Sequence, residues 1–89
     1  MSMSSVRDFA GVVTDIHLES RVDGVARWQM AVSNSTFKAG DAGVLEAVAR
    51  SGTRLVVPVL SVVEDAEGEV WLVVEKPLAA GTEVTGRVD

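Results

Sequence analysis

The chain has no cysteine, no tyrosine, a single histidine and two prolines. Without thiols there are no disulfides, no thiolate metal site and no cysteine nucleophile, which fits a reducing compartment. No apolar run approaches the roughly 18–20 residues that span a bilayer. The opening Met1-Ser-Met-Ser-Ser5 has no charged segment leading into an apolar one, so it does not read as a secretory signal. The expectation is a cytoplasmic protein with a disordered tail over residues 1–5 and one small domain over 6–89, since 89 residues leave no room for a second core. The inventory for catalysis is equally thin. There is no nucleophile elbow, no phosphate-cradling glycine loop and no zinc spacing. The sequence is therefore read as a non-enzyme with no cofactor and no metal.

What the chain does have is valine, a residue whose branched Cβ suits a pleated sheet, in a composition that is 47% hydrophobic and 24% charged. Its net charge of −5 is unevenly placed. Residues 1–60 hold six basic and six acidic side chains, whereas residues 61–89 hold two basic and seven acidic ones. A neutral first part with clustered arginines leaves contact with nucleic acid open; the acidic last part points to protein partners.

Alternation at period two marks the first strands. Ala10, Val12, Thr14, Ile16 and Leu18 form one face, and Ala26, Trp28, Met30 and Val32 form the matching face of the next strand. A two-residue Asp23-Gly24 turn would turn Trp28 and Met30 to water. A three-residue loop Val22-Asp23-Gly24 pairs Leu18 with Trp28, Ile16 with Met30 and Thr14 with Val32, with Glu19 opposite Arg27 and His17 opposite Gln29. Burial selects the second register, because a slip of one residue inverts every side chain.

Asp41 to Gly52 reads as a short helix, with Asp41 as N-cap, Val44, Leu45 and Val48 as its apolar stripe and Gly52 beyond its end. Ser35 to Ala39 is a candidate short strand before it. Arg54–Val63 and Glu69–Glu75 are two strands joined by an acidic hairpin, Pro58 implies a bulge or an edge, and Glu83–Val88 is a candidate last strand.

A helix between the third and fourth strands of a five-stranded antiparallel barrel is the layout of the OB-fold. Gly11-Val-Val-Thr-Asp-Ile16, the hairpin at Gly24, Thr53-Arg-Leu-Val-Val57 and Asp65-Ala-Glu-Gly-Glu-Val-Trp-Leu72 resemble the corresponding segments of nucleic-acid-binding OB domains in polymerase, helicase and synthetase subunits. The resemblance covers most of residues 6–74 and is carried by generic apolar and glycine patterns; Pro58 falls where such domains keep a regular strand. It implies a mainly β, small five-stranded OB-like barrel with one short helix, binding single-stranded DNA or RNA.

Two binding surfaces follow. Phe9, His17, Arg21, Arg27, Gln29, Phe37, Lys38 and Arg54 are the candidates for nucleic acid, because single-strand binders combine cations for phosphates with rings on which bases stack. Both phenylalanines are equally at home in a core, and Trp28 is expected to pack inward. Glu64, Asp65, Glu67, Glu69 and Trp71 are the candidates for a basic protein partner, with Trp71 on the outer face beside the acidic loop. Asp15, His17 and Glu19 share a strand face on which a divalent ion is conceivable, although a solvated polar face explains them as well. Pairing of a second copy at a sheet edge is compatible with either reading.

Overall fold

The computed structural model describes residues 8–49 and 51–88. The expected tail, residues 1–5, lies outside the described residues. Seven strands form one antiparallel sheet: β1 (Phe9–Val22), β2 (Val25–Val32), β3 (Gly43–Val48), β4 (Arg54–Val59), β5 (Ser61–Glu64), β6 (Val70–Val74) and β7 (Glu83–Val88). Their spatial order is β4-β3-β7-β1-β2-β6-β5. The mainly β class is as expected. The five-stranded barrel is not found, because the sheet has more strands and its hydrogen-bonded order is open rather than closed.

β1 belongs to both halves of the sheet. Phe9–Val12 pairs with β7, and Val13–Val22 pairs with β2. The expected strand over Arg54–Val63 is divided at Leu60, so that β4 ends one side of the sheet and β5 ends the other. The two ends of the ladder are thus joined by one residue of chain and by no ladder of their own.

The helix expected over Asp41–Gly52 is instead strand β3, followed by a hairpin into β4. Gly43, Leu45 and Ala47 are buried while Val44 and Glu46 are half-buried and Val48 is exposed, which is period two. Three apolar residues on a short helix bury little, whereas as a strand the same segment pairs with β4 on one side and β7 on the other. The two end signals serve other purposes. Asp41 accepts a bond from the Lys38 N–H through Oδ2 (2.8 Å) and closes a turn, and Gly52 takes its positive φ of 90° inside the hairpin. Residues 35–39, a candidate strand, are irregular chain.

The expected three-residue loop Val22-Asp23-Gly24 is not formed, because Val22 pairs with Val25, and the first hairpin keeps the inward Trp28 and Met30 by another route. Its turn is the two-residue Asp23-Gly24, at φ 53° and 79°, the pair of positive angles a type I′ turn requires. Leu18 still pairs with Trp28 and Ile16 with Met30, because a bulge between Leu18 and Ser20 adds one residue to β1. Glu19 occupies that extra position, so Ser20 and not Glu19 faces Arg27. A second register shift, between Val13 and Asp15, turns Val13 inward and leaves Thr14 exposed, opposite to the simple alternation.

The core is built from the inward residues of both halves. Val13, Met30, Leu45, Leu72, Val57 and Val74 are its largest fully buried side chains. Each buried side chain of this size contributes about 1.5–3 kcal/mol through removal from water. No described polar or charged residue is buried.

Candidate functional site

The outer face of β1, β2, β6 and β5 brings His17, Glu19, Gln29 and Trp71 into contact. His17 and Gln29 face each other across β1 and β2, with His17 Nε2 and Gln29 Oε1 2.8 Å apart. Gln29 Nε2 donates in turn to Glu19 Oε2 at 3.1 Å. The bulge at Glu19 thus replaces the expected Glu19–Arg27 pair with a Glu19–Gln29–His17 chain.

Trp71 comes to the same face from β6. Its indole ring lies 4.6 Å from the His17 imidazole, centroid to centroid, with the planes tilted by 52°. Val73 pairs with Gln29, and Trp71 is two residues further along the same strand, so all three point outward. Ala31 and Val73 are 2% and 4% exposed yet stand apart from the core cluster. Strand parity puts them on the outer side, the side of Gln29 and Trp71. Val63, 37% exposed, pairs with Trp71 and extends the apolar strip onto β5.

The acidic loop is tied to this face by Asp65. Its Oδ1 accepts from the N–H groups of Glu67 and Glu69, both at 2.9 Å, and its Oδ2 accepts from Trp71 Nε1 at 3.0 Å. These bonds favour the ionised form, the Trp71 indole N–H foremost and the Glu69 N–H next, and hold the Asp65 carboxyl below its ordinary pKa. Gly68 closes the turn at φ 83°, donating to the Asp65 carbonyl. Asp65 is therefore spent on positioning, while Glu64, Glu67 and Glu69 remain exposed at the rim.

The eight residues expected to bind nucleic acid do not come together. His17 and Gln29 lie on this face, and parity puts the exposed Arg27 there too. Arg21 pairs with Ala26, which alternates with the inward Trp28 and Met30, so Arg21 leaves by the other side of the hairpin. Arg54 is on the outer side of β3 and β4, 3.6 Å from Glu46. Lys38 is exposed in the loop before β3. Phe37 is 3% exposed and Phe9 packs on it edge-on, ring centroids 5.7 Å apart at 85°. Phe9 also lies over Gly86, where an added Cβ would sit 2.3 Å from the ring. Buried in this way, Phe37 has no face on which a base could stack.

The sequence reading missed the Asp65 anchor and the His17–Trp71 contact. The first had a signal: aspartate opening a type I turn with glycine at its fourth position. The second depends on a long-range strand neighbour and had none.

Among the described residues no group of three or more His, Asp or Glu side chains is placed to hold a metal ion. Asp15 accepts from the Ile16 N–H, and His17 and Glu19 are engaged with Gln29. No described helix is long and apolar enough to cross a membrane. No family model matches the chain, and no curated protein or solved structure matches it.

Proposed function

We propose that the protein is a non-catalytic interaction module that docks a basic segment of a partner protein on the outer face of β1, β2, β6 and β5. The observation that supports it is the Trp71–His17 pair, set on an outer strand surface and tied by Asp65 to a rim of exposed glutamates. Aromatic and apolar side chains give the contact its area, and the surrounding carboxylates select cationic partners and speed their encounter. The position of the net charge, all of it in residues 61–89, agrees with that choice of partner.

A nucleic-acid reading, with the chain as an OB-like single-strand binder, draws support from Arg27, His17 and Gln29 sharing the face with Trp71. It is the weaker reading, because Phe37 is buried and the other cations leave on different sides. One titration separates the two. In a Trp28→Phe background, Trp71 emission is followed while an arginine-rich peptide or a single-stranded oligonucleotide is added at low and high salt. The expected result is a saturable response to the peptide that Glu67→Lys with Glu69→Lys abolishes. Saturable oligonucleotide binding that is lost in Arg27→Ala would replace this reading with the other, and no response to either would remove the face as a docking site.

A further inference from the structure

We infer that β4 is a self-association edge, on which two copies of the chain pair antiparallel through Arg54–Val56 about a two-fold axis at Leu55. This inference is independent of the docking face above. It starts from hydrogen-bond alternation. Ala49 donates its N–H to the Thr53 carbonyl at 2.8 Å. Bonded and non-bonded pairs alternate along an antiparallel ladder, so the pairs Val48–Arg54, Glu46–Val56 and Val44–Pro58 are the non-bonded ones. The N–H and C=O groups of Arg54 and Val56 therefore point away from β3, toward the free edge. Pro58 sits in the same phase, and its missing N–H costs the β3–β4 ladder nothing.

The two ends of the sheet are treated differently. On β5 the loop before β3 supplies a partner, the Gly40 N–H donating to the Val62 carbonyl at 3.0 Å. Beside β4 there is space: a groove of about 480 Å³ separates Arg54–Val57 from Lys76, Pro77 and Leu78. Four exposed apolar side chains lie on or next to this edge, Val48 at 68%, Val56 at 46%, Leu60 at 43% and Leu55 at 42%, and a separate group, Leu18, Val22 and Val25, lies at the first hairpin.

Self-complementarity sets the occupant and the register. With Arg54 opposite Val56 of the second copy, and the reverse, every outward N–H of Arg54 and Val56 meets a carbonyl. Leu55 then faces Leu55. On the outer side of the sheet the strand neighbour of Val56 is Glu46, so Arg54 of one copy is aligned with Glu46 of the other. Within one copy these two charges meet at a single 3.6 Å contact, with side chains 70% and 36% exposed, and both are free to engage across the axis. Pro58, having no donor, ends the pairing and keeps it from propagating along the strand. The two-fold closes the association at a dimer.

The test is sedimentation equilibrium of the intact protein between about 1 μM and 1 mM, a range that brackets weak and moderate dimers. A monomer–dimer equilibrium is expected. Val56→Lys places a cation beside its own Glu46 but opposite Arg54 of the second copy, so it should raise the dimer dissociation constant more than about tenfold while the monomer unfolds as before. Val56→Pro removes an outward donor without removing a β3–β4 bond and should act likewise. Trp71→Ala, on the docking face of β1, β2, β6 and β5, should leave the dimer unchanged. A monomer throughout the range, or a dimer that both Val56 variants leave intact, would overturn the proposal.

Discussion

Asp65 does with one carboxylate what the other acids of its loop do not. It orders the turn through two backbone N–H groups and fixes Trp71 through its indole. Its pKa is lowered in the folded chain, and the sign of its pH dependence follows. Its contribution to stability is present above the ordinary aspartate range and is lost as pH falls through the lowered folded value. Asp65→Asn, which keeps the shape but accepts less strongly, should flatten the acid limb of a stability–pH curve measured by denaturant titration. Asp65→Ala should also shift Trp71 emission, because the ring loses its anchor. At Gly86 the constraint is space. The Phe9 ring occupies the position of a side chain there, and Gly86→Ala should destabilise by about 1–3 kcal/mol through overpacking, read from a denaturation midpoint.

At the level of elements, alternation made the strands legible wherever one face is apolar and the other polar. The pairs Leu18–Trp28 and Ile16–Met30, the final strand Glu83–Val88 and the edge position of Pro58 follow from pattern and from the chemistry of proline. The segment from Asp41 to Gly52 was not legible, because an aspartate and a glycine at its ends suit a turn and a hairpin as well as helix caps. Two-sided pairing with β4 and β7 decided between them. The candidate site was half legible. His17, Gln29, Arg27 and Trp71 can be placed outward from parity, but the neighbour relation between β2 and β6 joins residues far apart in sequence. The bulge at Glu19 gives a sharp test. Deleting Glu19 restores a regular ladder between Leu18–Trp28 and the Asp23-Gly24 turn, so the variant should keep its fold and lie within about 1 kcal/mol of the parent. Deleting Ile16 instead shifts the residues before it by one place against β2 and β7, and should abolish cooperative unfolding.

Over the whole molecule, β1 holds the two halves together, meeting β7 from the far end of the chain with its first residues and β2 with the rest. Such pairing delays reward until distant segments meet, so folding should fall in the millisecond-to-second range by stopped-flow fluorescence. Met30 lies at 0% exposure in the shared core and its sulfur takes the Leu78 N–H at 3.4 Å. Met30→Ala should cost about 2–5 kcal/mol. The joint at Leu60 has a mechanical consequence. An open sheet ordinarily peels from its outermost strands, but here each outermost strand is the anchor of the other. Neither can fray alone without dragging on the opposite border, so the sheet behaves as a hoop fastened at Leu60 and again where Gly40 bonds Val62, and a backbone cut at Leu60 would loosen β4 while β5 stayed tied.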